Sequence, residues 1–493
     1  MGDDTSDHPA TVLVNAEQVI GEVDRRIYGQ FIEHLGRCIY GGIWVGEDSK
    51  IENVAGFRKD VLEAVKAIRP PIIRYPGGNF ASGYHWLDGV GDRRQRPVKY
   101  DLAWGAEEPN QFGTDEFIRW CRLLEAEPFM VANAGNGTPE EAAAWVEYCN
   151  GKGRTKNAAL RRSNGNQEPH DVKLWGIGNE LYGEWQVGYC LDGKECGRRT
   201  IDFANEMRKV DPSIGIVGAG SYIDLNNLNA EWNIDLVRTA GKYLDYLSIH
   251  NYVSGKLSDL DLLTAPTQLE RNLRTTYEMV ASISRKHHGG RDIKLTFDEW
   301  NVWYPEAKTP LHDQVTSVRD GLFTALVLNA LLRLAKQVPI ACFAQTVNVL
   351  PLISTRDDGS MYVNPQYLAF KMYAGSTGKR SLQAAVQSPC YHSKELNEDL
   401  TILDASATIG EETLHVYVVN KDAKRPIECT IKVSGFMPRS IRQQCMSGDG
   451  MEDRNSFDSP NQVGIVERPP EKAERSSMVV ELPPHSVNIL TLR

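Results

Sequence analysis

Two glutamates stand out by their surroundings. Glu180 closes the segment Trp175-Gly-Ile-Gly-Asn-Glu180, and Glu299 lies in Thr296-Phe-Asp-Glu-Trp-Asn-Val-Trp303, 119 residues further on. Two carboxylates converging on one pocket are the minimum equipment for glycoside hydrolysis. One stays protonated to deliver a proton to the leaving oxygen, while the other attacks the anomeric carbon. Their environments must split their pKa values, because equivalent carboxylates could not play both parts at pH 7. Three further segments carry chemistry of the same kind: Gln30-Phe-Ile-Glu-His34, Arg74-Tyr-Pro-Gly-Gly-Asn79 and His250-Asn-Tyr252. Carboxylates, amides, an imidazole and a guanidinium interleaved with aromatic rings suit a polar ligand held by many hydrogen bonds and stacked on rings.

These segments need a scaffold that brings them together. Eight short apolar runs read as buried parallel strands, over 26–33, 71–76, 128–133, 173–179, 215–219, 246–250, 294–298 and 340–345. Helical runs separate them, over 58–68, 114–125, 139–150, 201–210, 268–286 and 314–336. Phe117, Trp120, Cys121 and Leu124 fall on one helical face. Eight strands alternating with helices predict a (β/α)8 TIM barrel over residues 20–378, with the five chemistry-bearing segments at the C-terminal strand ends where barrel sites form. Glu180 and Glu299 then fall on strands four and seven, facing each other across the barrel. A doubly wound nucleotide-binding sheet is disfavoured. Gly176-Ile177-Gly178 lacks the third glycine of GxGxxG, and no phosphate-binding GxxxxGK[ST] loop occurs.

After about residue 380 the texture changes to segments of period close to two, over 400–405, 413–420, 427–433, 477–482 and 487–492, with 447–472 reading as long loops. A smaller antiparallel β-sandwich, jelly-roll-like, is expected from residues 379–493 together with 1–19, whose run Thr11–Asn15 is also β-like. The 493 residues carry 55 Lys+Arg against 65 Asp+Glu, a net charge of −10 without the basic bias of a nucleic-acid binder or of a protein held on anionic membranes. The chain begins acidic, without a charged-then-apolar leader, and no apolar run approaches a membrane span. Nine thinly spread cysteines read as reduced thiols of a cytoplasmic protein. The eleven histidines show neither HxH nor HExxH, so no metal is expected, and His287-His288 reads as a helix C-terminus.

Taken with Arg26-Ile-Tyr-Gly-Gln-Phe-Ile-Glu-His34 and Ile73-Arg-Tyr-Pro-Gly-Gly-Asn-Phe80, the two glutamate segments resemble the signatures of the family 51 α-L-arabinofuranosidases. The similarity covers nearly the whole chain. It implies a retaining, exo-acting enzyme without a cofactor, acting on arabinofuranose-containing oligosaccharides or polysaccharides, in a homo-oligomer that is often a hexamer. It implies Glu180 as acid/base and Glu299 as nucleophile. Asn179 would bond the sugar 2-hydroxyl, and Glu33 and Asn79 other hydroxyls. Tyr252 would orient Glu299, Arg74 would lower the pKa of Glu299, and His250 would hydrogen-bond near Glu180. Trp104 and Trp303 would form apolar walls. Many family members resemble a WRQT segment after strand eight. The nearest stretch is taken as Met361-Tyr-Val-Asn-Pro-Gln366, with Asn364 in place of the glutamine. The alternatives are another retaining barrel glycosidase, an endo-β-glucanase or β-xylosidase, and a catalytically silent carbohydrate-binding protein.

Overall fold

The computed structural model describes residues 10–304, 314–472 and 476–493. The acidic stretch at 1–9 lies outside them. After a long first strand, β1 (Ala10–Glu22), eight parallel strands close into a barrel: β2 (Gly29–Phe31), β3 (Ile72–Tyr75), β4 (Glu127–Ala132), β5 (Leu174–Ile177), β6 (Gly215–Gly218), β7 (Tyr246–Ser254), β8 (Lys294–Trp303) and β9 (Ile340–Ala344). Every expected barrel strand overlaps one of these. Period two sorts their side chains. Phe129 and Val131 of β4, Leu174 of β5 and Cys342 of β9 fill the barrel interior. Met130, Trp175, Ile177, Phe297 and Trp300 point outward into the layer beneath the helices.

The helices described are α1 (Lys59–Ile68), α2 (Thr114–Leu124), α3 (Pro139–Asn150), α4 (Lys156–Ser163), α5 (Gly193–Val210), α6 (Ala230–Ala240), α7 (Asp259–His287), α8 (Val318–Arg333) and α9 (Pro365–Gly375). The expected apolar face of α2 is buried as a unit. α3 opens with Pro139 behind the Thr138 cap, whose hydroxyl accepts from the Glu141 N–H. α5 and α7 begin well before their expected starts, because the caps are Asp192 and Ser258, upstream of the apolar periodicity. α7 carries Arg285, Lys286 and His287 in its last turn and ends on His288. Three helices have no expected counterpart: α4, α6 and α9. α6 buries Asn233, Leu236, Val237 and Ala240 on one face; the other two lack such a stripe. α9 is buried on nearly all sides and α4 buries Asn157, Ala158 and Arg161.

Apart from four short two-stranded pairs, the other strands are β10 (Arg380–Gln387), β11 (Leu403–Ile409), β12 (Leu414–Asn420), β13 (Ile427–Ser434), β14 (Ser440–Ser447), β15 (Gly464–Lys472), β16 (Ser477–Leu482) and β17 (Ser486–Leu492). With β1 they form one nine-stranded sheet, ordered β15-β14-β17-β12-β11-β10-β1-β13-β16. β1 lies parallel to β13 and antiparallel to β10. The sheet curls on itself. Val12 and Val14 of β1 share a core with Ile431, Val480, Val416 and Leu490 from strands on both sides. The opposite face of its middle strands, Tyr417, Val419, Val487 and Ile489, packs into the barrel's own apolar layer. β1 runs to Glu22, so the sheet takes residues 20–22, which the sequence pattern places in the barrel. In this sheet two strands, β10 and β14, fall where the sequence predicts none. The 447–472 stretch is a correction as well, since its end forms β15. That strand holds Pro469 and Pro470 at a register shift against β14, on the sheet edge where missing N–H groups cost no ladder bonds.

Candidate active site

The chemistry-bearing segments converge at the C-terminal mouth of the barrel. A pocket of about 730 Å³ there is lined by Glu33, Gly78, Asn79, Trp104, Glu180, Tyr252, Glu299 and Trp303. A larger cleft of about 940 Å³ lies elsewhere, between α9 and the curled sheet, and is lined by Arg69, Lys371, Arg442 and Glu467. It lacks a carboxylate pair, so size alone does not select the site.

Two backbone irregularities aim the glutamates. After β5 the chain turns through Gly178 (φ 73°) and Glu180 (φ 44°). A left-handed conformation at a non-glycine residue is strained and recurs at functional sites. In β8, Ser248 pairs with Thr296 but His250 pairs with Glu299, so one extra residue is inserted. The bulge breaks period two. Phe297 and Trp300 both point outward and stack on each other with ring centroids 6.2 Å apart, while Asp298 and Glu299 both reach Arg74.

Arg74 is 1% exposed and gathers three side chains around its guanidinium. Nη1 donates to Glu299 Oε1 at 2.6 Å, Nη2 to Asn179 Oδ1 at 2.7 Å, and Nε lies 3.1 Å from Asp298 Oδ2. Its guanidinium sits 4.7 Å from the centre of the Phe31 ring. Tyr252 donates to the other Glu299 oxygen at 2.8 Å. Burial works against ionisation of Asp298, but Arg74 and His250 outweigh it and hold its carboxyl down at about 2.

Glu180 accepts from Tyr182 at 2.9 Å, and its Oε1 lies 2.9 Å from His250 Nδ1. The same nitrogen is 3.6 Å from Glu299 Oε2. Ligand atoms of Glu180, His250 and Glu299 all fall within 4.8 Å of one another. That trio has the donor types of a metal site, yet Arg74 and Tyr252 already occupy the oxygens of Glu299 and Tyr182 shares Glu180. Burial alone disfavours charge on His250, but Glu299, Asp298 and Glu180 push the imidazole up to about 10. Burial likewise pushes the Glu180 carboxyl up, and the hydrogen bond and charge of His250 outweigh it, leaving it below the usual carboxylate range. Both shifts follow from the one contact that Glu180 and His250 share.

Glu33 organises the opposite wall. Oε1 accepts from the backbone N–H groups of Gly78 and Phe80 at 3.0 and 3.1 Å and from the Trp104 indole at 3.2 Å, and Oε2 accepts from Gln345 at 2.8 Å. Burial and the charge of Glu299 push its carboxyl up to about 7. The paired glycines are required by close approach. A Cβ on Gly77 would meet Glu33 Cγ at 2.5 Å, and one on Gly78 would meet Glu299 Oε1 at 2.8 Å. Asn79 Oδ1 accepts from Asn179 at 3.4 Å and from Gln186. Trp303 is 40% exposed and meets Tyr252 edge-on, 5.7 Å between centroids. All ten residues singled out in the sequence thus meet here, though Trp104 is a hydrogen-bond donor as well as a wall.

Sequence reasoning passed over Asp298, Gln186, Tyr182, Trp185, Tyr222 and Gln345. Asn364 is the clearest correction. It is buried outside the pocket lining, donating to Pro351 O and Ser354 Oγ at 3.0 and 3.3 Å. Gln345, at the end of β9 in Ala344-Gln345-Thr346, lines the pocket instead, and its Oε1 is buried without a partner. The signal was present, since Ala-Gln-Thr preserves the end of WRQT.

Two family models match, "Alpha-L-arabinofuranosidase 1 domain" over residues 64–269 and "Alpha-L-arabinofuranosidase C-terminal domain" over 298–486. An intracellular exo-α-(1→5)-L-arabinofuranosidase of Acetivibrio thermocellus is 36% identical over 468 residues, 91% of this chain and 92% of that protein. The chain belongs to the family 51 α-L-arabinofuranosidases. The arabinose complex of the Thermotoga maritima α-L-arabinofuranosidase superposes with TM-score 0.89 at 37% identity, covering 98% of this chain and 99% of that one. The family 51 α-L-arabinofuranosidase AbfB of Bifidobacterium longum superposes with TM-score 0.91 at 30% identity, covering 99% and 100%.

Proposed function

We propose that this chain is a retaining, exo-acting α-L-arabinofuranosidase that removes terminal non-reducing α-L-arabinofuranosyl residues from arabinose-containing hemicellulose or oligosaccharides by double displacement. The observation that carries the mechanism is the spacing. Carboxylate oxygens of Glu180 and Glu299 lie within 4.8 Å of each other. Retaining enzymes keep their carboxyl groups ~5–5.5 Å apart, and inverting ones about 6.5–9.5 Å, to admit a water.

In this reading Glu299 is the nucleophile. Arg74 and Tyr252 each hold one of its oxygens, which fixes the carboxylate in the orientation needed for attack on the anomeric carbon. Glu180 gives a proton to the leaving oxygen and then takes one from the incoming water. Asn179, pinned by Arg74, faces the sugar 2-hydroxyl. Glu33, Asn79 and Gln345 receive the other hydroxyls at the pocket floor, and Trp104 and Trp303 flank the ring. Such buried polar groups discriminate sharply, because a sugar lacking the matching hydroxyl leaves them unpaired. A barrel over about residues 23–378, an intracellular location and a homo-oligomer, in the hexameric form, belong to the same proposal. The name of the Acetivibrio relative supports the location. Among the described residues no helix is long and apolar enough to cross a membrane.

A panel of aryl glycosides tests the reading. The α-L-arabinofuranoside should be cleaved far faster than the β-D-xyloside or β-D-glucoside. Preference for the glucoside, or for internal bonds of a glucan, would replace it with the endo-glucanase reading.

A further inference from the structure

The hydrogen bonds around His250 permit a count of protons. Ser248 has one hydroxyl hydrogen and donates it to Asp298 Oδ1 at 2.7 Å. Ser248 Oγ, 3.0 Å from His250 Nε2, must then accept from it, so Nε2 carries a hydrogen. Thr296 also donates to Asp298 Oδ1, at 2.7 Å, which leaves Asp298 an acceptor throughout. On the other side of the ring the hydroxyl hydrogens are committed too. Tyr182 donates to Glu180 and Tyr252 to Glu299. The 2.9 Å contact between His250 Nδ1 and Glu180 Oε1 therefore holds one proton belonging to one of those two atoms. The charged and titratable groups facing the ring are Glu180 from the turn after β5, Asp298 and Glu299 from β8, and, behind the last two, Arg74 from β3.

We propose that His250 is the proton store of the reaction: the proton that Glu180 delivers to the leaving group in the first displacement is the Nδ1 proton of a His250 imidazolium, and the proton taken from water in the second displacement returns to it. This rests on the double-displacement reading above. In the first displacement, Nδ1–H passes its proton to Glu180, Glu180 protonates the glycosidic oxygen, the bond from the anomeric carbon to that oxygen breaks, and Glu299 bonds to the same carbon. Histidine ends neutral, Glu180 remains a carboxylate, and Glu299 loses its charge as an ester. Water then gives a proton through Glu180 to Nδ1, its oxygen bonds to the anomeric carbon, and Glu299 leaves as a carboxylate.

The geometry couples the two events. The Glu299 oxygen nearest to Nδ1 is 3.6 Å away, so its negative charge is part of what holds the proton on the ring. Esterification removes that charge as the proton is needed elsewhere. Hydrolysis restores it as the proton comes back. His250 touches the reacting atoms only through Glu180 and is a positioning residue in that sense. A purely structural histidine would keep one protonation state throughout the cycle.

The test is nitrogen NMR of ¹⁵N-histidine-labelled enzyme at pH 7, with the His250 signals assigned by their loss in His250→Gln. Spectra are taken of the free enzyme and of the covalent form made with a 2-deoxy-2-fluoro-arabinofuranoside bearing a dinitrophenyl leaving group. Two protonated ring nitrogens in the free enzyme, and one in the covalent form, support the proposal. A neutral ring in the free enzyme, or an imidazolium that persists in the covalent form, overturns it while leaving the double displacement intact. Failure to form any covalent species overturns both. Kinetics give a second readout that survives incomplete assignment. In His250→Gln, the ratio of kcat/KM for a dinitrophenyl arabinoside to that for an alkyl arabinoside should rise at least tenfold, because only the poorer leaving group needs the proton. An unchanged ratio overturns the proposal.

Discussion

Replacing Glu33 by alanine removes the acceptor for four donors at once: the N–H groups of Gly78 and Phe80, the Trp104 indole and the Gln345 amide. A stranded buried donor costs ~1–3 kcal/mol. Water entering the open pocket re-solvates part of the set, and the sugar hydroxyl that Glu33 receives is lost in addition. The combined loss of transition-state stabilisation should be about 2–4 kcal/mol, or roughly 30- to 900-fold in kcat/KM on an aryl α-L-arabinofuranoside. Glu33→Gln is the informative companion. Its amide oxygen can keep the Gly78, Phe80 and Trp104 bonds. Its new amide donor can be met by Gln345, whose Oε1 is unpartnered and can be turned to face it. The glutamine variant should therefore lose less activity than the alanine variant. The two also differ in pH response. Burial and Glu299 raise the Glu33 carboxyl from 4.5 to about 7, so ionising it in the folded protein costs about 3 kcal/mol. Because the folded value is the higher one, the folded state binds more protons, and this contribution to stability is lost as pH rises from 4.5 to 7. Glu33→Gln has no group to ionise there. Its stability relative to wild type, followed by thermal unfolding, should improve across that window. A silent Glu33→Ala, or a Glu33→Gln as impaired as alanine and with the wild-type pH trend, refutes the reasoning.

Glu180→Ala should still form the glycosyl-enzyme from dinitrophenyl arabinoside, turn over slowly, and be accelerated by azide, which needs no base. Rescue of Glu299→Ala by azide with retained stereochemistry would reverse the roles. Gly78→Ala places a methyl group 2.8 Å from Glu299 Oε1, an oxygen that Arg74 holds in place. Activity should fall about 100-fold or more with circular dichroism unchanged, since a displacement of about 1 Å of a reacting group costs that much; near-normal turnover would show that the carboxylate has room to move.

The barrel and its carboxylate pair were legible because they depend on local patterns. Apolar runs of strand length mark β2 to β9, and polar residues clustered at their ends mark the mouth. The features that complete the site depend on backbone geometry. Asp298 and Glu299 are adjacent, and period two would send them to opposite faces. Only the bulge in β8 lets Arg74 reach both. Gln345 was overlooked because it closes a strand that had been read for its apolar run. Asn364 lies in the stretch read as nearest to WRQT, yet it is buried with its amide turned to Pro351 and Ser354. Gln186 and Tyr182 reach the site from the turn that follows Glu180, where no periodicity exists to read. In the sheet, β15 was hidden by two prolines that only an edge position tolerates.

The division of labour between Glu180 and Glu299 is tested most directly by locating the covalent sugar. The enzyme is treated with dinitrophenyl 2-deoxy-2-fluoro-α-L-arabinofuranoside, digested at low pH, and the labelled peptide sequenced by tandem mass spectrometry. The label is predicted on Glu299, one sugar per chain, and absent from Glu299→Gln. A label on any other side chain, or an unlabelled enzyme that releases its first product with inverted configuration, would contradict the assignment.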